Sequence, residues 1–238
     1  MPAKNLFAEV PSIGTDVTDE LKVIKWDPPL PASLSGLALG NFPSFIRKTD
    51  QERVQNMPGK LVEWASEQWE VTEKLDGAST TFFYNEGEFG ICSRNLRLKI
   101  GTSTHSVVAD KLGLKEKLAE YDRNIALQGE MVGPGVHGNI YQLKEPEFRL
   151  FDIWDIDTQT PVKPYDRQML ASELGIQHCP VLHNGTVFDK NFTVEHLLEI
   201  ADGVSNLNPA TKREGLVFKS VNRPEHSFKV ISNAFLLG

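Results

Sequence analysis

The pattern of apolar and polar positions divides the chain into strand-like and helix-like stretches. Residues 69–74 and 78–84 are rich in β-branched and aromatic side chains, the composition that suits a half-buried pleated surface. Asn85-Glu86-Gly87 supplies a hairpin turn before a further strand at 89–94. Residues 103–121 carry helical periodicity through Val107, Val108, Leu112, Leu114, Leu118 and Tyr121, most simply as core scaffold. Strands are expected at 124–131 and 147–156, helices near 165–174 and 193–202, and two late strands at 215–220 and 226–232. Upstream, residues 50–67 read as helix, with Thr49 or Asp50 as cap and Pro58 restarting it. No internal repeat is visible. Strands with interspersed helices, rather than strict alternation, predict an α+β domain with antiparallel sheets enclosing a cleft.

The first thirty residues fit neither pattern. Asp27-Pro28-Pro29-Leu30-Pro31 stiffens an extended segment and forbids regular helix. Residues 1–30 are therefore expected to form an extended arm or linker, and 31–238 the domain. A chain of 238 residues with 40% hydrophobic content can bury one large core. No apolar run approaches the roughly eighteen residues that span a bilayer, and Met1-Pro2-Ala3-Lys4 leads into no signal-peptide core, so a soluble cytoplasmic protein is expected. Cys92 and Cys179 lack the close pairing of a zinc knuckle or redox dithiol and read as reduced, buried spectators.

Charge narrows the choice of partners. A formal net charge of −7 argues against an extended basic surface, so any polynucleotide site is local or incomplete. Arg94-Asn95-Leu96-Arg97-Leu98-Lys99 is the best local candidate for a phosphate contact, and equally a solvated strand edge. Gly133-Pro134-Gly135-Val136-His137-Gly138 has dinucleotide-binding spacing, but Pro134 and Asn139-Ile140-Tyr141 do not open a helix to hold a pyrophosphate. These glycines are expected to shape a loop beside Glu130.

One ordered set carries the chemistry: Lys74-Leu75-Asp76-Gly77, Ser93-Arg94-Asn95, Gly129-Glu130, Phe148-Arg149-Leu150-Phe151-Asp152-Ile153, Glu214-Gly215-Leu216-Val217-Phe218-Lys219 and Ser227-Phe228-Lys229. A lone Lys-x-Asp-Gly means little; the series resembles the covalent nucleotidyltransferases, namely ATP-dependent RNA ligases, DNA ligases and mRNA capping enzymes. Asn41-Phe42-Pro43-Ser44-Phe45-Ile46 and 49–56 make it most similar to RNA ligases with an amino-terminal oligonucleotide-binding module, which is expected here to be separate or missing. The resemblance runs from about Leu30 to the carboxyl end.

That resemblance implies the nucleotidyltransferase fold and a division of labour. Lys74 would attack the α-phosphorus of ATP to give lysyl–AMP; lysine is nucleophilic when neutral, and its ordinary pKa of about 10.4 can be lowered by a metal or cationic neighbours. Lys219 and Lys229 would hold the phosphates and the developing charge. Asp76, Glu130 and Glu214 would bind Mg2+ or Mn2+, directly or through water, since carboxylates beside a triphosphate repel it unless a cation intervenes. Glu130 would also hold the ribose hydroxyls, Phe151 stack on adenine with Phe148 as fallback, Arg94 lie near ribose or phosphate, and Glu73 contact the base. Because side chains alternate along a strand, Lys74 and Asp76 can face one cleft, while Gly77 lets the backbone come close to a nucleotide.

The expected partner is nicked or broken RNA with 5′-phosphate and 3′-hydroxyl ends, in RNA repair. The departures also count. Ser227 stands where many relatives have the first lysine of Lys-x-Lys, so one phosphate contact is missing or supplied elsewhere. The chain stops at Gly238, leaving no room for a carboxyl-terminal substrate-gripping domain, which implies that self-adenylylation survives while joining is impaired. The rival readings are an ATP-dependent DNA ligase or GTP-dependent capping domain, and a noncatalytic RNA-binding remnant.

Overall fold

The computed structural model describes Ser12, residues 16–18, Leu21, Lys22, residues 36–188 and residues 192–238. The chain divides into two units, Met1–Gly36 and Leu37–Gly238. Most of the expected arm, residues 1–30, lies outside the described residues. Within the first unit, the Thr18 backbone and hydroxyl both donate to Asp16 Oδ1, a local turn.

The second unit begins with β1 (Ala38–Asn41), β2 (Glu52–Arg53), α1 (Pro58–Trp64), β3 (Trp69–Lys74), β4 (Ala78–Asn85), β5 (Glu88–Ser93) and β6 (Leu96–Leu98). It continues with α2 (Thr104–Leu112), α3 (Leu114–Tyr121), β7 (Ile125–Val132), β8 (Glu147–Asp155), β9 (Thr160–Pro161) and α4 (Pro164–Glu173). The last elements are β10 (Val181–Thr186), α5 (Val194–Ala201), β11 (Gly215–Ser220), β12 (Ser227–Ile231) and α6 (Asn233–Leu236). The strands form an antiparallel sheet ordered β1-β6-β5-β4-β7-β8-β9 and a second sheet ordered β10-β3-β11-β12-β2. This is the expected α+β architecture, with one exception to its antiparallel character: β2 pairs with β12 in parallel, setting Arg53 against Lys229.

Three expectations need correction, each for a local reason. Residues 50–57 are not helical. Residues 52–53 are taken into the sheet beside β12, a 3₁₀ turn follows, and Met57, denied the helical conformation by the proline after it, sits at φ −137°. Helix α1 then starts with Pro58 in its first turn, where a missing N–H costs nothing. The expected single helix over 103–121 is two helices, because Gly113 adopts φ +62° and ends α2. The basic run is no strand edge: β6 lies between β1 and β5, and Arg97 is ion-paired to Glu88 over the Phe83 ring.

One face of the five-stranded sheet carries the main core. Trp69, Val71, Leu216, Phe218, Phe228 and Val230 project from it and are sealed by Leu61 and Trp64 of α1 and Leu197 and Ala201 of α5. Phe218 and Phe228 stack at 4.9 Å, a pairing that contributes about 1 kcal/mol beyond the burial of the two rings. The opposite face points the alternate residues, among them Lys74, Lys219 and Lys229, away from that core.

A buried polar network ties α4 to the sheets. Arg167 and Glu70 are both sealed from solvent and form an ion pair, and Gln168 also donates to Glu70. Buried charges are tolerable only when paired in this way. Arg167 Nε donates to His178 Nε2 at 2.9 Å, and His178 Nδ1 faces the Cys179 carbonyl at 2.7 Å, so this histidine is held neutral. Burial, reinforced by the Arg167 charge, pushes the His178 pKa down to about 4 from its ordinary 6.5. Between those values the unfolded chain binds a proton that the native chain refuses. The stability due to His178 is therefore complete above about pH 6.5 and is lost as pH falls toward 4, a difference of about 3 kcal/mol at full extent. Urea unfolding at pH 7 and pH 4.5 should show a smaller acid loss for His178→Gln than for the wild type; equal losses would place the acid sensitivity elsewhere.

Candidate active site

The site grows from the turn that joins the two sheets. Strand β3 of one sheet ends at Lys74, residues 75–77 make the turn, and β4 of the other sheet starts at Ala78. Strand pairing then imports the acidic groups. Lys74 lies opposite Gly215, which brings in Glu214, and Ser79 lies opposite Glu130. Turn and sheet are in tight contact: a Cβ built on Gly77 would lie 2.3 Å from the Met131 carbonyl oxygen.

Lys74 Nζ is 2.6 Å from Glu214 Oε2, both side chains being only partly open to solvent. Glu130 has its pKa pushed up to about 8, chiefly by burial and further by the charges of Glu214 and Asp76, against the pull of Lys74 and Arg94. Glu214 is raised as well, by burial first, with Lys74 opposing. The charge of Asp76 adds to the rise at both Glu130 and Glu214, and carboxylates grouped in this way are the hard oxygen donors that suit a divalent cation. Among the described residues, however, no three His, Cys, Asp or Glu side chains converge into a cage that could hold an ion unaided. Asp76, Glu130 and Glu214 would therefore hold such an ion only together with ligands from elsewhere, such as a bound phosphate.

Asp76 is held at two points. Its backbone N–H donates to the Tyr141 hydroxyl at 2.7 Å, and its Oδ1 meets His137 Nδ1 at 2.7 Å. Both partners belong to the glycine-bearing loop after β7. Sequence reasoning placed this glycine loop beside Glu130 but gave His137 and Tyr141 no role, because they lie more than sixty residues from Asp76 in the chain.

A bulge sets the two candidate aromatics apart. Gln128 pairs with Asp152 but Gly129 with Leu150, so Phe151 is an extra residue in β8 and is aimed differently from its neighbours. It packs, half-buried, beside Leu75, Val132, Tyr141 and Cys179. Phe148 is buried edge-on against Phe82, a core position that leaves no face for a base. Glu73 points to the opposite face from Lys74; one carboxylate oxygen accepts from the Asn206 N–H at 2.8 Å, while Oε1 is buried with no hydrogen-bond donor among the described residues.

The remaining cations fall into two groups. Lys219 is buried in an ion pair with Asp152; burial lowers its pKa while Asp152 opposes the fall. Lys229 is half-buried, and its pKa is lowered by burial and then by the Lys74 charge, with Arg53 and Arg94 adding to the effect and Asp50 opposing. Arg94 is exposed and paired with Asp50 at 2.6 Å. Ser227 donates to Gln51 at 2.6 Å, while Arg53 stands in register with Lys229. The structure thus gathers Lys74, Asp76, Glu130, Glu214, Arg94 and Lys229 into one electrostatic cluster. Lys219 is set apart in its own buried pair. A separate groove of about 610 Å³, lined by Arg47, Asp50, Lys60, Trp64 and Ser227 among others, does not include Lys74. Among the described residues no helix is long and apolar enough to cross a membrane.

Comparison with known proteins gives a consistent picture. The family model described as RNA ligase matches residues 67–231. No curated protein sequence matches the chain. Among solved structures, a mutant of Naegleria gruberi RNA ligase with ATP and Mn is similar at TM-score 0.82 and 42% identity, over 95% of this chain and 68% of that one. The same organism's RNA ligase with pyrophosphate is similar at TM-score 0.81 and 42% identity, over 95% and 67%. A further mutant with AMP and Mn gives TM-score 0.82 and 42% identity, over 95% and 68%.

Proposed function

Since this chain belongs to the RNA ligase family, we propose that its ATP-dependent ligase domain works through a lysyl–AMP at Lys74 and joins a 5′-phosphate RNA end to a 3′-hydroxyl end. The observation that carries the reading is the Lys74 amine 2.6 Å from Glu214, with Glu130, Asp76 and Lys229 coupled to it. The proposed adenylyltransferase domain is residues 31–238, preceded by the arm 1–30.

In the first step Lys74 Nζ attacks the α-phosphorus of ATP. The N–P bond forms, the bond to pyrophosphate breaks, and the proton shed by Nζ has the Glu214 carboxylate within reach as acceptor. Lys229 and Lys219 are the proposed phosphate-holding lysines, and Arg53 is the cation the geometry offers where Ser227 replaces a lysine. Lys219 would act in this way from its buried pair with Asp152. Phe151 offers an aromatic face to adenine, and the donorless Glu73 Oε1 is an acceptor suited to a base amino group. Arg94 and Glu130 are proposed for the ribose and phosphate. Asp76, Glu130 and Glu214 would hold Mg2+ or Mn2+, the ion used in the relatives' complexes being Mn. The cation would supply charge neutralisation between these carboxylates and the triphosphate.

In the second step AMP passes from Lys74 to the RNA 5′-phosphate, and in the third the 3′-hydroxyl displaces AMP to seal the strand. With a net charge of −7, recognition of duplex RNA rests on A-form shape and 2′-hydroxyl contacts near the cleft rather than on a broad basic surface. The test is intact mass after incubation with ATP and Mn2+, with GTP in parallel, followed by a nicked RNA duplex. An AMP adduct that disappears as the nick is sealed supports the reading. A GMP adduct, or no adduct with either nucleotide, overturns it.

A further inference from the structure

The loop at 133–143 grips the Asp76 turn through two chemically different contacts. Tyr141, buried at 3% exposure, accepts from the Asp76 backbone N–H and so fixes the chain. His137 reaches the side chain instead, with Nδ1 2.7 Å from Oδ1. The loop is anchored independently of both: Asn208 Nδ2 donates to the Ile140 carbonyl at 2.9 Å, and the Asn139 amide bonds both backbone groups of Leu143 at 2.9 and 3.0 Å. His137 itself adopts φ +40°, a left-handed conformation that costs an ordinary side chain about 1 kcal/mol.

We infer that His137 is a positioning residue for Asp76, its imidazole N–H holding one carboxylate oxygen so that the other is presented to the divalent cation. The inference rests on the reading of Asp76 as a carboxylate serving that ion. An Nδ1–H is all the contact needs, and the neutral ring supplies it. Because Tyr141 secures the backbone of the turn, loss of the imidazole leaves the turn in place and frees only the carboxylate. This is how hydrogen-bonded partners behind metal-facing carboxylates act elsewhere, and removing one typically weakens metal affinity by about 10–100-fold.

The test compares His137→Gly with His137→Asn. Both residues enter the left-handed region readily, but only asparagine places a donor N–H near the position of Nδ1. Mn2+ affinity is measured from the free-ion electron paramagnetic resonance signal with a non-cleavable ATP analogue, and folding from Tm. His137→Gly should weaken Mn2+ binding by about tenfold with Tm preserved, and His137→Asn should restore most of it. In an Asp76→Asn background His137→Gly should add nothing. Equal affinities for the glycine and asparagine variants, or a full glycine effect in the Asp76→Asn background, overturn the role of His137. If Asp76→Asn alone leaves Mn2+ binding unchanged, it is the underlying reading of Asp76 that fails. A fall in Tm that accounts for the weakened binding makes the contact structural and also overturns the inference.

Discussion

Lys74→Ala is expected to abolish nucleotide attachment: after incubation with ATP and Mn2+ its intact mass should be unchanged, where the wild type gains one AMP. The covalent step has no substitute for a nitrogen at the end of β3, and deleting a nucleophile that acts within a catalytic unit costs on the order of 10⁴-fold or more. The nearest rival is Lys229, whose pKa is lowered by burial and then by the charge of Lys74. Peptide mapping therefore accompanies the mass measurement. An adduct on Lys229 in the variant would move the nucleophile to β12, and an adduct on no defined lysine would end the covalent reading. A second arm separates chemistry from damage. The third step does not use the lysine, so Lys74→Ala should retain whatever joining of a 5′-adenylylated RNA strand the wild type shows. Loss of that joining as well would mean that removing the cation from between Glu214 and Glu130 had collapsed the site.

What the sequence disclosed and what it hid follow from the range of the forces involved. Strand β3 was legible because Trp69 to Lys74 combines aromatic and β-branched residues with a turn after it, all local signals. The hairpin at Glu86 and Gly87 was legible for the same reason, and both residues do adopt positive φ. The break at Gly113 was hidden by an apolar period that continues across it, and the β-conformation of residues 52–53 comes from a partner strand about 175 residues away. The site divides likewise. Lys74 and Glu214 could be named from motifs, but their contact depends on the register of β3 with β11. The bulge that re-aims Phe151 and the reach of His137 to Asp76 are products of the folded sheet and loop, and no spacing in the chain announces them. Lys219 could be named from its motif, but its ion pair with Asp152 joins β11 to a strand of the other sheet and no local signal announces it.

Gly77→Ala is expected to slow AMP attachment by about a hundredfold, although it removes nothing chemical. The added Cβ would stand 2.3 Å from the Met131 carbonyl oxygen, 2.9 Å from Val132 Cγ1 and 3.0 Å from Glu130 Cγ. The first of these is backbone in the middle of the seven-stranded sheet, paired on both sides by β4 and β8, and cannot yield without breaking ladder hydrogen bonds. The turn must move instead. It carries Asp76 one residue before and Lys74 three residues before, so a shift of about an ångström displaces the nucleophile and a carboxylate together. Misplacement on that scale costs on the order of 10²-fold in rate. The core around Trp69 and Phe218 lies on the far face of the five-stranded sheet and is untouched, so the variant should unfold cooperatively with a modest loss in Tm. The measurement is the single-turnover rate of AMP attachment at saturating ATP and Mn2+, alongside thermal unfolding. A rate within a few-fold of wild type would show that the turn has slack and that the Lys74–Glu214 contact is not held by the seam between the sheets. A hundredfold slower rate on a folded chain would establish that the approach of the turn to β7, rather than the identity of the acidic residues alone, sets the geometry of attack.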